Sequence, residues 1–476
     1  MATDQTALRE YDVIVLGAGP TGENVAERAV QGGLSAVIVE HELVGGECSY
    51  WACMPSKAML RPLHAVAEAR RVGGAREAVT GEVDVRAVFA RRDEFTSHWD
   101  DSGQVQWLDG VHVELVRGHG RLAGERRVDV ETASGAVVLR ARQAVVVATG
   151  SVATLPPVPG LAEAKPWTPR EATSARAVPV RLTIIGGGVV GCEMAHVYCG
   201  LGSQVTVLEV APRLLMGNEP FVGELIAEAT RSLGADVRTG VKVLAARRDG
   251  SGVHIELEGG TVSSDEVLVA AGRRPATSDI GLETVGLEPG AWLETDDSLL
   301  VHGAEGAWLY AAGDVNHRAL LTHMGKYQAR ACGDGIAARA RGSLDPAPWS
   351  KHSATADHRC VPSVIFTDPE VGSVGLTEGQ ARGAGLNVRA VDYTIGDVAG
   401  ASLYADHYGG RARLVVDEER HVLVGATFVG PAVGELLHSA TVAVVGEVPL
   451  ERLWHAVPSY PTISEVWLRL LETYGL

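Results

Sequence analysis

The chain has 476 residues, too many for one simple domain, so two to four domains are expected. Hydrophobic residues make up 46% and charged residues 21%, a composition able to bury sizeable cores. The formal net charge of −17 argues against a nucleic-acid or anionic-membrane partner. No apolar run approaches the roughly 18–20 residues that span a bilayer, and the opening "MATDQTALRE" lacks the pattern of a signal peptide. The six cysteines are too few and too scattered for a secreted disulfide framework, so a cytoplasmic enzyme is expected.

Residues 11–40 read "YDVIVLGAGPTGENVAERAVQGGLSAVIVE". An apolar β-branched run is followed by a glycine turn, a helix-like stretch, a second apolar run and a terminal glutamate. The glycines are Gly17, Gly19 and Gly22, and the acid is Glu40. Such a turn allows close backbone approach to a pyrophosphate at a helix N-terminus, and the acid can take the ribose hydroxyls.

Next comes "GGECSYWACMPSK", with Cys48 and Cys53 separated by four residues. These could be two buried thiols, a small disulfide that staples a turn, or a redox pair. A bridge closing so short a loop adds little stability and persists poorly in a reducing compartment unless it turns over. If a helix starts here, its dipole favours a thiolate.

Residues 181–209, "RLTIIGGGVVGCEMAHVYCGLGSQVTVLE", repeat the first pattern at an offset of 169. The glycines are Gly186, Gly188 and Gly191, and the acid is Glu209. One such motif is a weak signal, since 57 residues are glycine, but two copies in register predict two bound dinucleotides. Glu209 would accept from a free 2′-hydroxyl and repel a 2′-phosphate, so NAD(H) is preferred over NADP(H) if this second unit binds a nicotinamide cofactor. Arg213, four residues on, could soften that preference.

With these motifs in place, the chain closely resembles the FAD-dependent pyridine nucleotide–disulfide oxidoreductases, the group of dihydrolipoamide dehydrogenase, glutathione reductase and mercuric reductase. The resemblance also rests on "VVVATGS" at 145–151, "AAGRRP" at 270–275, "LYAAGDV" at 309–315, "VIFTDPEVGSVGLTE" at 364–378 and "PTISE" at 461–465. It implies an α/β fold with two Rossmann-like dinucleotide-binding domains and a C-terminal α+β dimerisation domain. FAD would bind at 1–150 and 276–347, NAD(P)H at 151–275, and residues 348–476 would form the dimerisation domain after a linker, "GSLDPAPWSK". The resemblance further implies that Cys53 lies beside the flavin and Cys48 meets the substrate. Lys57 and Glu193 match positions that pair near the flavin, and Asp314 matches the acid holding its ribityl or phosphate region. Gly120, Thr149 and Gly272 fall in cofactor-binding segments. Relatives are homodimers in which the C-terminal segment of one subunit completes the other's site.

Disulfide-reducing relatives carry His-Pro-Thr near the C-terminus, with a glutamate shortly after. Here Tyr460 stands at the histidine position, ahead of Pro461 and Thr462, and Glu465 remains. Tyrosine, with a pKa of about 10, is a poor proton shuttle beside histidine at about 6.5. Tyr460 reads equally well as an interface packing residue, and His455, five residues upstream, could act only through a rerouted backbone. Mercuric reductases resemble the chain in this tyrosine, but they carry a C-terminal cysteine pair that "LRLLETYGL" lacks. Cys192, Cys199, Cys332 and Cys360 read as structural, and His352 and His358 near Cys360 fit no zinc spacing, so no metal site is expected. His323 in "LTHMGKYQAR" reads as packed near the flavin rather than catalytic.

The resulting expectation is an FAD-dependent enzyme taking electrons from NADH through a Cys48–Cys53 disulfide to a small-molecule acceptor: a quinone, a metal ion or a specialised disulfide. The alternatives are a divergent dihydrolipoamide dehydrogenase and, in another class, a flavin-bound redox sensor with little turnover.

Overall fold

A computed structural model describes residues 7–476. The opening residues in which no signal peptide was read lie largely outside that range. The chain divides into two compact units. One comprises the described residues up to Met54 with Asp93–Val152 and Arg273–His358; the other comprises Pro55–Arg92, Ala153–Gly272 and Arg359–Leu476.

In the first unit the strand Ala7–Leu16 lies parallel between Ala36–Glu40 and the long strand Gly135–Val147. Glu114–Arg117 extends the sheet beyond Ala36–Glu40, and Leu309–Ala311 adds a parallel strand on the other side of Gly135–Val147. The first half of that long strand pairs antiparallel with Arg127–Thr132, which in turn pairs with His119–Leu122. The β-branched runs form strands here because both faces are covered. Val13, Val15, Ile38 and Val146 face one core, whereas Ile14, Leu16, Val39 and Val147 face the other, as strand alternation requires. Register sets Leu16 beside Val39 and Val147, and Val147 beside Ala311. The carboxyl ends of four parallel strands therefore share one edge. The glycine turn, Glu40, Thr149 and Asp314 all follow directly from that edge, where open α/β sheets place their ligands.

The second unit contains a four-stranded parallel sheet in the order Asp236–Thr239, Gln204–Glu209, Arg181–Ile185 and Glu266–Val269. A three-stranded antiparallel sheet, Val243–Asp249, Gly252–Leu257 and Gly260–Ser264, is inserted in the chain between its strands Asp236–Thr239 and Glu266–Val269. The C-terminal segment forms a five-stranded antiparallel sheet from residues 362–430, with helices Val433–Val445 and Val466–Tyr474. Residues 342–351 carry no helix or strand. Among the described residues no helix is long and apolar enough to cross a membrane.

Candidate active site

The two glycine turns repeat in three dimensions as they do in sequence. In the first, Gly17 adopts φ +98°, and a Cβ on Gly22 would fall 2.0 Å from the Gly17 carbonyl oxygen. In the second, Gly186 adopts φ +113°, and a Cβ on Gly191 would fall 2.0 Å from the Gly186 carbonyl oxygen. The outer glycines of each set thus let a helix pack tightly on its strand. The middle glycines, Gly19 and Gly188, begin the helices Pro20–Gln31 and Val189–Gly200, and a Cβ on either would meet nothing within 4 Å. Their bare backbone answers no internal packing need, which fits a phosphate approaching the helix N-terminus.

The terminal acids are held alike. Glu40 accepts from the amides of Ala18 and Glu42, both at 2.7 Å. Glu209 accepts from the amides of Gly187 at 2.5 Å and Ala211 at 2.6 Å. Each acid is tied to the middle of its own glycine turn. The Arg213 guanidinium donates to the carbonyl oxygens of Leu214, Leu215, Met216 and Asn218, so its charge is committed to a local loop.

The remaining cofactor candidates of the first unit gather at the same sheet edge. Asp314 follows the strand Leu309–Ala311 and accepts from the Ser151 hydroxyl at 2.5 Å, and Ser151 accepts from the Arg273 guanidinium at 2.6 Å. The hydroxyl of Thr149 is buried and has no hydrogen-bond partner among the described residues. Such an orphan is unfavourable unless a ligand satisfies it, so the residues present fit a bound dinucleotide. Gly120, in the strand His119–Leu122, lies against Leu16 and Val39, where a Cβ would come within 2.9 Å of both. Its glycine identity is therefore explained by sheet packing. Gly272 belongs to the second unit with φ +115°, and its carbonyl accepts from the Thr154 amide.

Cys48 lies in the short helix Gly46–Tyr50, and Cys53 is the first residue of the helix Cys53–Arg70. The two thiols are hydrogen-bonded to each other. That hydrogen bond, with burial, holds the Cys48 thiol far above its ordinary pKa, against a smaller opposing pull from Thr322 and Lys326. The expected lowering by a helix start therefore does not extend to Cys48. The Cys53 sulfur lies 3.3 Å from the Thr322 hydroxyl, at the first residue of the helix Thr322–Ala340. Sequence reading passed over Thr322, although its place at the helix start in "LTHMGKYQAR" was a usable signal. His323 beside it is exposed.

Lys57 and Glu193 meet within the second unit. The Lys57 ammonium donates to Glu193 at 2.6 Å and lies 4.9 Å from the centre of the Phe366 ring. The other Glu193 oxygen accepts from the Phe366 amide at 3.0 Å, and the residue is 3% exposed. Replacing Glu193 by leucine strands both donors, and is expected to destabilise the chain by about 2 kcal/mol, read as a lower urea midpoint. An unchanged midpoint would show that the pair contributes no net stability.

Tyr460 and Glu465 also belong to the second unit. Tyr460 is 76% exposed, whereas Glu465 is buried and pairs with Arg469 at 2.7 Å. The segment between them packs closely on the helix Ala399–Tyr404, since a Cβ on Gly400 would fall 2.1 Å from the Thr462 carbonyl carbon. His455 is exposed. Cys192, Cys332 and Cys360 are buried and Cys199 is half-buried; burial raises the pKa of all four. His352 accepts from the Asp345 amide, and His358 pairs with Asp297.

Two glycine-turn units with their acids, and a facing thiol pair at a helix start, define a dinucleotide-binding dithiol protein. The pyridine nucleotide–disulphide oxidoreductase family matches residues 11–329, and the dimerisation domain of that family matches residues 361–470. The chain belongs to the FAD-dependent pyridine nucleotide–disulfide oxidoreductases and is an oxidoreductase. It is similar to a dihydrolipoyl dehydrogenase of Thermus scotoductus, with 32% identity over 98% of this chain and 97% of that one. Dihydrolipoyl dehydrogenase 3 of Pseudomonas aeruginosa is 34% identical over 96% of each chain. A mercuric reductase of Staphylococcus aureus is 27% identical over 96% of this chain and 81% of its own. Among solved structures, the Cu(II) complex of the HOCl-induced flavoprotein disulfide reductase RclA from Escherichia coli superimposes with a TM-score of 0.83, at 22% identity, covering 98% of this chain and 99% of that one. LpdA from Mycobacterium tuberculosis gives a TM-score of 0.82 at 23% identity, covering 99% and 100%. These two share the fold.

Proposed function

We propose that the chain is an NADH-preferring oxidoreductase whose electrons leave through Cys48 and Cys53 to a quinone, a metal ion or a specialised disulfide. The single observation that carries this reading is the facing thiol pair, with Cys48 hydrogen-bonded to Cys53 and Cys53 at a helix start. In this reading the FAD domain comprises residues 1–150 and 276–347, the NAD(H) domain 151–275, and a dimerisation domain 348–476 pairs two copies in the cytoplasm. The first glycine turn, Glu40, Thr149 and Asp314 would hold FAD. The second turn and Glu209 would hold the nicotinamide cofactor. A bound flavin supplies hydride acceptance from NADH and two-electron transfer to the disulfide. The reductive half-reaction converts NADH, one proton and the disulfide into NAD+ and two thiols, and the acceptor then takes two electrons from the thiols and restores the disulfide. Glu209 selects a ribose without a 2′-phosphate.

Tyr460 in place of the histidine that disulfide-reducing relatives carry argues against ordinary dihydrolipoamide as the partner. The identity to dihydrolipoyl dehydrogenases favours a second reading, a divergent enzyme of that kind.

Steady-state NADH oxidation with a quinone, Cu(II) and lipoamide as acceptors tests both. The expected result is kcat/KM for NADH at least about tenfold above NADPH, with weak lipoamide turnover. Cys48→Ser should lower the rate with the productive acceptor by about 100-fold or more, while NADH still bleaches the flavin. A variant that keeps its rate would overturn the thiol route, and brisk lipoamide turnover would select the second reading. Flavin reduction without steady turnover of any acceptor would point to a redox sensor.

A further inference from the structure

The turn that carries Asp314 is held from behind by a buried side chain that takes no part in the steps above. Gln328, on the helix whose first residue Thr322 touches Cys53, is 0% exposed. Its oxygen accepts from the Gly313 amide at 2.7 Å and from the Asn316 side-chain amide at 2.8 Å. These two donors stand on either side of Asp314 in the chain. The Gln328 nitrogen donates to Asp357 at 2.9 Å. Asp357 also pairs with the Arg318 guanidinium at 3.2 Å, and the Arg318 backbone amide donates to the Asn316 side-chain oxygen at 3.0 Å. Gln328, Asp357, Arg318 and Asn316 thus close a ring of polar contacts behind the turn. Asp297 braces that ring, pairing with Arg318 at 2.6 Å and with His358 at 2.7 Å.

We infer that Gln328 is a positioning residue for the flavin: backed by Asp357, it fixes the turn from Gly313 to Asn316 and so the placement of the Asp314 carboxylate. This rests on the reading above that Asp314 holds FAD. The chemistry of the partners sets the orientation of each amide. A backbone N–H only donates, so the Gln328 oxygen faces the turn; a carboxylate accepts, so the Gln328 nitrogen faces Asp357. Asn316 is fixed in the same way, giving to Gln328 and to the Ala311 carbonyl while accepting from the Arg318 amide. Gly313 depends on an outside hold. It adopts φ +83°, and a Cβ there would fall 2.8 Å from the Thr21 hydroxyl oxygen, so it has no room for a side chain that could anchor it. A turn displaced by about an ångström would carry Asp314 out of hydrogen-bond range of a ligand.

The test is the rate at which the FAD-loaded full chain releases its flavin, followed by timed ultrafiltration with flavin absorbance read in the filtrate, beside urea unfolding of the same proteins. Gln328→Met keeps the length and strands the Gly313 and Asn316 donors. It should release FAD at least about tenfold faster than the unmodified protein. Gln328→Glu sets two carboxylates face to face and should also speed release. Adding Asp357→Asn to it again sets a donor against an acceptor, and should bring release back to within about threefold of the unmodified rate. A lower urea midpoint with unchanged FAD release marks a role in packing alone and overturns the inference. Equal release from Gln328→Glu with and without Asp357→Asn removes the backing by Asp357 and overturns it as well. If Gln328→Met does not fold, the two Gln328→Glu proteins decide the matter. Asp314→Ala separates this inference from the reading beneath it. Unchanged release in that variant means that Asp314 does not hold FAD, and the flavin-site reading falls first. Faster release from Asp314→Ala but not from Gln328→Met leaves that reading standing and overturns the positioning role.

Discussion

Replacing Gly191 by valine is expected to abolish saturable NADH use while leaving the flavin bound. A side chain there starts 2.0 Å from the Gly186 carbonyl oxygen and 3.0 Å from its carbon, so the helix Val189–Gly200 must move away from its strand by about an ångström or more. Overpacking of that kind costs about 1–3 kcal/mol, and it displaces the helix N-terminus from the place where a pyrophosphate would be received. The expected outcome is a yellow protein whose KM for NADH rises at least about tenfold. The mirror substitution, Gly22→Val, meets the Gly17 carbonyl at the same 2.0 Å and should instead yield protein depleted of flavin. This pair of outcomes checks the proposed assignment of the two turns as well as their sterics. Loss of flavin in the Gly191 variant with retention in the Gly22 variant would reverse the assignment, and an unchanged KM would remove the second turn from NADH binding.

The second large effect is on stability against pH. His196 is 4% exposed, receives a hydrogen bond from the Asp368 amide at 3.1 Å and lies 3.1 Å from the Thr230 hydroxyl. Burial holds it down to about 4, with His64 pushing the same way and Asp368 resisting. His64 is itself lowered by burial, with Asp368 and Glu68 opposing and Arg61 and Arg71 reinforcing the shift. The folded pKa lies below the unfolded value of about 6.5, so the unfolded chain binds the extra proton between these limits. Stability is complete above the unfolded pKa and falls as pH drops toward the folded one, by about 3 kcal/mol for His196 alone. Urea unfolding at pH 7 and pH 4.5 should show His196→Gln losing less stability on acidification than the unmodified chain. Equal losses in the two proteins would show that His196 protonation is not part of acid unfolding.

What the sequence alone determined was local and repetitive. Alternating β-branched runs ended by a glycine turn and an acid have few ways to be satisfied other than as parallel strands feeding helices. The motif therefore located Gly17, Gly19, Gly22 and Glu40, and their counterparts at Gly186, Gly188, Gly191 and Glu209, before any coordinates. The thiol pair was legible because its members are five residues apart.

Tertiary structure decided what depends on groups distant in the chain. Asp314 is held by Ser151, 163 residues away, and Cys53 touches Thr322, 269 residues away. Glu193 accepts from the amide of Phe366, 173 residues on, and no side-chain pattern announces a backbone donor. The raised pKa of the Cys48 thiol comes from its hydrogen bond to Cys53 and its own burial, neither of which position in the chain alone reveals. Arg213, a possible phosphate ligand in sequence, proved tied to four carbonyl groups of its own loop. Hydrophobic periodicity encodes which face is buried, but burial of a single polar atom and the field it experiences are properties of packed surfaces, and these exist only once the chain has folded.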